Sequence, residues 1–146
     1  MESRAKEAGL PNVIFGASVP SGDVPAVLNA CDAGVATLAA TPLTRGSLPV
    51  KVFEQLACGL PVVLSGAGEC EAILRSDGVG ITVPPGDGAA LARAVRALAD
   101  DPAGARAMGE KGRAHVEAHY DRRRLADDYL EILRAAIAER SREKAA

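Results

Sequence analysis

Aromatic side chains are scarce in this chain: tryptophan is absent, and two tyrosines and two phenylalanines make an aromatic share of 3%. A core must therefore be built from Ala, Val, Leu and Ile. Cysteine is sparse too. Cys31, Cys58 and Cys70 form no Cys-x-x-Cys pair, and their odd number leaves one thiol over from any internal disulfide. That pattern reads as reduced thiols in a cytoplasmic protein. There is no excess of basic charge, with 17 Lys and Arg against 19 Asp and Glu for a net charge of −2. This argues against a nucleic-acid partner, whose binders show a basic excess. No segment has the basic start and apolar run of a signal peptide. No apolar stretch approaches the ~20 residues of a membrane helix, so any membrane association is expected to be peripheral.

What is present is an ordinary globular balance, 48% hydrophobic and 25% charged over 146 residues, enough for one domain with a sizeable core. Short β-rich runs alternate with helical patterns, the order of an α/β domain with a mostly parallel sheet. The predicted strands are Asn12–Phe15, Gly34–Leu38, Val62–Ser65 and Ile81–Val83. The apolar character of the first three runs predicts strands covered by helices on both faces. Asp23 and Asp87 are candidate N-caps, Asp101-Pro102 pairs an N-cap with an N1 proline, and Gly59 is placed to end a helix. Ala39 to Pro49 is the least regular stretch. A last helix from near Arg122 carries Leu125, Tyr129, Ile132, Leu133 and Ile137 on one stripe, most simply core packing. Residues 1–139 read as one domain and 140–146 as a polar tail expected to fray.

The most informative block runs from Ser47 to Ser65, S-L-P-V-K-V-F-E-Q-L-A-C-G-L-P-V-V-L-S, a loop, a helix and a strand in succession. A helix start has unpaired N–H groups and partial positive charge, so it can hold a phosphate. One turn further in, Glu54 offers a carboxylate that can take both hydroxyls of a ribose, as acids do in other doubly wound nucleotide sites. The preceding loop is expected at the carboxyl end of Gly34–Leu38, where open α/β sheets bind ligands.

This block resembles retaining glycosyltransferases of the large GT-B family that includes many enzymes of bacterial polysaccharide synthesis. Asn12-Val13-Ile14-Phe15-Gly16, Ala30-Cys31-Asp32-Ala33-Gly34-Val35 and Gly80-Ile81-Thr82-Val83-Pro84-Pro85-Gly86-Asp87 resemble further family segments in the same order. The implied fold is a Rossmann-like parallel sheet flanked by helices, the C-terminal half of a GT-B fold, with a long C-terminal helix. The implied function is the donor-binding part of a glycosyltransferase acting on a nucleotide sugar, with uridine diphosphate as the expected nucleotide, a glycan or lipid-linked acceptor, and a place in surface-polysaccharide synthesis. Glu54 matches the second glutamate of the family's paired motif, which holds the donor ribose. Val50 and Lys51 match the helix start facing the diphosphate, and Gly66, Ala67 and Gly68 match a glycine-rich loop near the donor. Gly46 stands where the first glutamate is expected, and Lys51 where proline is common, as in a subgroup with amino-sugar transferases. The resemblance also implies what is missing: two strands that come before Asn12 in the family's chain and lie between Asn12–Phe15 and Gly34–Leu38 in its sheet, a basic pair that neutralises the departing diphosphate, and the N-terminal acceptor domain. Arg45 is the one nearby cation besides Lys51. The chain is therefore expected to be truncated at its N-terminus and not catalytically competent alone, and no catalytic residue is assigned.

Each assignment has a plainer counterpart. Glu54, Lys51 and Arg45 are also ordinary solvated residues, and Gly66–Gly68 a tight turn. Glu69 and Glu71 favour the start of the helix that follows. His115 and His119, four apart, share a helix face, but without a third ligand they make no zinc site. No metal and no cofactor are expected, the nucleotide sugar being substrate. Two other functions compete: a non-catalytic remnant that binds nucleotide or packs on a partner chain, and a fragment of a GT-B sugar epimerase.

Overall fold

The computed structural model describes residues 1–143. Three strands, β1 (Gly34–Thr37), β2 (Val62–Ser65) and β3 (Gly80–Val83), form a parallel sheet in the order β1-β2-β3. Gly34 pairs with Val62 and Val62 with Gly80. Among the described residues eight α-helices accompany them: α1 (Glu2–Glu7), α2 (Val24–Asn29), α3 (Pro42–Arg45), α4 (Val50–Ala57), α5 (Glu69–Ser76), α6 (Gly88–Asp100), α7 (Pro102–His119) and α8 (Arg122–Glu143).

The side-chain alternation of a strand sends successive residues to opposite faces, and here it builds two cores. On one face Ala36, Val62 and Leu64 pack with Val52 and Leu56 of α4, Cys70 and Leu74 of α5, and Val116 of α7. Burial there pushes the Cys70 thiol pKa up. On the other face Val63 and Val83 pack with Ala94 and Leu98 of α6 and Ala105 of α7. Helix α7 thus contributes to both cores, its first turn on one face and its last on the other. Strand β2 is buried throughout, whereas β1 alternates buried and exposed. The expectation of cover on both faces holds for β2 and fails for β1, because no helix lies over Val35.

The chain ends its helices with the same device three times. Gly9, Gly59 and Gly78 take positive φ. At Gly59 the N–H donates to the Leu56 carbonyl and the Leu60 N–H to the Gln55 carbonyl, the Schellman pairing that satisfies last-turn carbonyls. Helix starts use aspartate. Asp87 accepts from the Ala90 N–H at 2.8 Å and Asp101 from the Gly104 N–H at 2.9 Å, with Pro102 at N1. We expect Asp101→Ala to lower stability by about 1 kcal/mol, read as a reduced denaturant midpoint at unchanged slope.

Several expectations need correction. Asn12–Phe15 forms no strand, because no neighbouring strand lies within pairing reach of it; Ile14 is 90% exposed. Asp23 precedes α2 but makes no side-chain cap, since a 3-10 turn at Ser21–Asp23 leads straight into the helix. The irregular stretch holds α3, whose start Thr41 caps: Thr44 N–H donates to Thr41 Oγ1 at 3.3 Å and Thr41 N–H to Thr44 Oγ1 at 3.0 Å. The α8 stripe is not core. Leu125, Tyr129, Ile132, Leu133 and Ile137 are all exposed, Ile137 by 67%, because the body offers α8 no surface to lie on. Helix α8 runs through position 140 to Glu143, and residues 144–146 lie outside the described residues.

Candidate functional site

Beside the short α3, whose start Thr41 caps, three helix starts stand at the carboxyl end of the sheet, those of α4, α5 and α6. Two carry the chain's own acids. Asp87 takes an N–H of α6. Glu71 Oε2 accepts the N–H of Gly68, the residue before α5, at 3.3 Å while its Oε1 pairs with Arg75 Nη2 at 2.7 Å; the N–H groups of Glu69 and Cys70 have no acceptor among the described residues. The start of α4 is open. Its N-cap is Pro49, which makes no side-chain cap, and the first helical N–H groups, of Val50 and Lys51, have no acceptor among the described residues. An open helix start carries unsatisfied donors and the positive end of the helix dipole, so it favours an anion.

The glycine loop beside it is held in place. Gly66 N–H donates to the Val83 carbonyl at 3.1 Å, and Ser65 Oγ to the Pro84 carbonyl at 3.3 Å. Gly68 has φ +106, and a Cβ there would fall 2.2 Å from the Arg45 carbonyl oxygen. Only glycine fits, in conformation and in space. The structure thereby brings the end of α3 against the loop Gly66–Gly68, joining two stretches that are far apart in sequence. Val50, Lys51 and Glu54 share one helix. Val52 and Leu56 of that helix are fully buried and anchor it, while Lys51 and Glu54, three apart, share its exposed side. Phe53 packs inward on Tyr120, ring centroids 4.5 Å apart; burial raises the Tyr120 phenol pKa, with Asp77, Glu69 and Cys70 adding to the effect.

Glu71 is more than a helix-start acid: it stands three residues after Gly68, where a glutamate can reach back to the N-cap N–H. The Thr41 cap was also readable, as a Thr-Pro pair of the same kind as Asp101-Pro102.

His115 Nδ1 lies 3.5 Å from Asp77 Oδ2, its ring meets that of His119 at a 45° tilt with centroids 4.8 Å apart, and its buried Nε2 has no hydrogen-bond partner among the described residues. Among the described residues no group of three His, Cys, Asp or Glu is placed to hold a metal, and no helix is long and apolar enough to cross a membrane. A cavity of about 530 Å³ lined by Cys31, Asp32, Cys58, Pro61, Leu98 and Arg106 opens at the amino ends of the strands. That is the wrong end for ligand binding in an open parallel sheet, and no functional residue is assigned there.

A family model described as glycosyl transferase-like matches residues 3–131. The chain belongs to this glycosyl transferase family. Among its relatives, the D-inositol 3-phosphate glycosyltransferase of Salinispora tropica is 32% identical over 117 residues, which are 80% of this chain and 23% of that protein. The D-inositol 3-phosphate glycosyltransferase 1 of Catenulispora acidiphila is 32% identical over 102 residues, 70% of this chain and 24% of that one. Among solved structures, sucrose-phosphate synthase from Thermosynechococcus elongatus superposes with a TM-score of 0.84 at 27% identity, over 94% of this chain and 34% of that one. Anabaena Alr3699/HepE, solved in complex with UDP-glucose, superposes with a TM-score of 0.78 at 23% identity, over 92% and 35%. The architecture of this glycosyl transferase family chain is the C-terminal type of GT-B domain, and it spans about a quarter of the length of the curated relatives.

Proposed function

We propose that this chain is the donor-binding part of a glycosyltransferase. The open start of α4 receives the diphosphate of a nucleotide sugar, Glu54 takes the ribose hydroxyls, and the loop Gly66–Gly68 lies along the donor. The observation that carries this reading is a contrast in charge among the starts of α4, α5 and α6: α5 and α6 carry an acid there, Glu71 and Asp87, and the first turn of α4 carries none. Uridine diphosphate is the nucleotide proposed, supported by the UDP-glucose complex of the Anabaena neighbour. Transfer to a glycan or lipid-linked acceptor in the cytoplasm, in surface-polysaccharide synthesis, extends the same proposal and rests on the family resemblance. The chain's own cations near the site are Lys51 and Arg45, both exposed. Fixed positive groups stabilise a leaving diphosphate, and this chain is proposed to hold the donor without completing transfer by itself.

Calorimetric titration of uridine diphosphate into the folded chain tests the reading, with saturable one-site binding expected. A folded chain that takes up no uridine diphosphate would sink it. Lys51→Ala should weaken that affinity by roughly tenfold or less, the scale of one charge-assisted contact near the surface. An unchanged dissociation constant would remove Lys51 from the site. The second reading, a remnant that packs on a partner chain, is favoured by the bare apolar stripe of α8.

A further inference from the structure

Thr82, Val83 and Pro84, at the end of β3, together hold the glycine loop. The Val83 carbonyl accepts from the Gly66 N–H at 3.1 Å and the Pro84 carbonyl from Ser65 Oγ at 3.3 Å. Thr82 reaches the loop through two side chains. Arg75 Nη2 donates to Thr82 Oγ1 at 3.3 Å and to Glu71 Oε1 at 2.7 Å, and Glu71 Oε2 accepts the Gly68 N–H at 3.3 Å. A Cβ at Gly68 would meet the backbone of Arg45, so the loop is fixed from that direction too.

Glu71 holds the loop with a charged group. Its side chain is 27% exposed, so water screens that charge incompletely. A lone carboxylate beside a loop that lies along an anionic donor would repel the donor. Arg75 sets a positive charge against that carboxylate. An exposed i,i+4 pair adds little to stability, and Arg113 with Glu117 on α7 is a pair of that kind, with no third partner. Arg75 differs in that the same nitrogen also bonds to Thr82, which ties it to the sheet as well as to its own helix.

Resting on the donor-site reading of the glycine loop, we propose that Glu71 and Arg75 act as one positioning unit for a nucleoside diphosphate. Glu71 sets the Gly68 N–H and with it the loop. Arg75 cancels the charge that Glu71 brings, so that the loop can lie against an anion. Both act through the loop and neither touches the donor.

Two readouts test this on the full chain, with far-ultraviolet circular dichroism expected to match wild type throughout. Without ligand, amide exchange at Gly68, followed by NMR, should quicken about tenfold in Glu71→Ala and little in Glu71→Gln, whose amide oxygen still accepts. In calorimetry, Arg75→Met should weaken uridine diphosphate binding roughly three- to tenfold in about 0.02 M salt, and the gap should close in about 0.5 M salt. Adding Glu71→Gln to Arg75→Met should restore the affinity to within about twofold of wild type, because the charge that Arg75 offsets is gone. Arg113→Met should leave both readouts unchanged. Should Arg75→Met fail to fold, Arg75→Gln takes its place. A chain that binds uridine diphosphate equally well with and without Arg75 overturns the proposal and leaves the donor site standing. So does a loss that Glu71→Gln fails to restore, which would put Arg75 on the donor itself. Unchanged Gly68 exchange in Glu71→Ala overturns the positioning role of Glu71. A wild-type chain that binds no uridine diphosphate overturns the donor-site reading and the proposal together.

Discussion

Glu54→Ala is expected to weaken uridine diphosphate binding by about ten- to a hundredfold and to leave the melting temperature within about 2 °C of wild type. A carboxylate that accepts hydrogen bonds from two ribose hydroxyls contributes roughly 1.5–3 kcal/mol, and each 1.4 kcal/mol is a factor of ten in affinity. The fold should tolerate the change because Glu54 is exposed on α4 and its helix is anchored from the other side by Val52 and Leu56. Alanine is also the better helix former. Glu54→Gln should fall between, since the amide keeps one acceptor oxygen and loses the charge. Calorimetry and a thermal melt on the same preparations separate the two effects. An affinity within twofold of wild type for Glu54→Ala would remove the ribose contact from the site.

Much of this fold was legible because it is written locally. Val62–Ser65 lies within the observed limits of β2 to the residue, since Gly59-Leu60-Pro61 stops one element and starts the next. Asp87 and Asp101 cap as their positions imply. The misreadings have a common cause in tertiary context. Asn12–Phe15 has the composition of a strand, but a strand is made by its neighbour, and none is beside it. The α8 stripe has the periodicity of a core helix, and periodicity reports what a helix can bury and not whether a surface is there to receive it. Asp23 has the right side chain for a cap but sits in a 3-10 turn that removes the need for one.

The site divides in the same way. The α4 block was readable as loop, helix start and carboxylate, because all three lie within nine residues of one another. Which helix start is free of acidic charge was not readable from α4 itself. It depends on the acids at its neighbours, Glu71 reaching back to Gly68 and Asp87 to Ala90. Nor was the meeting of Arg45 with Gly68 visible, because it joins α3 to α5 across the end of β2. The tolerance of that junction for glycine alone couples the glycine loop to the loop after β1.

A stronger constraint lies at the opposite end of the sheet, and it predicts the largest loss of stability. Gly109→Ala should destabilise the chain by about 3 kcal/mol and lower its melting temperature by roughly 10 °C. Glycine within a helix is ordinarily about 1 kcal/mol worse than alanine, so α7, with Gly109 and Gly112 both buried, keeps them against its own propensity. The reason is the close crossing of α7 and α4. A Cβ at Gly109 would fall 2.0 Å from the Gly59 carbonyl oxygen, in the backbone of the turn that ends α4. Relief requires α7 to move, and α7 joins both cores through Ala105 and Val116. Gly112 is a milder case. Its Cβ would meet Leu56 Cδ2 at 2.7 Å, the end of a side chain that can turn aside, so Gly112→Ala should cost less than Gly109→Ala. Gly88→Ala is the control: nothing lies within 4 Å of its Cβ position at the start of α6, and it should be neutral or slightly stabilising. Equilibrium denaturation of the three variants checks the ranking. If Gly109→Ala proved as stable as Gly88→Ala, the close approach of α7 to the Gly59 turn would not be a constraint on this fold.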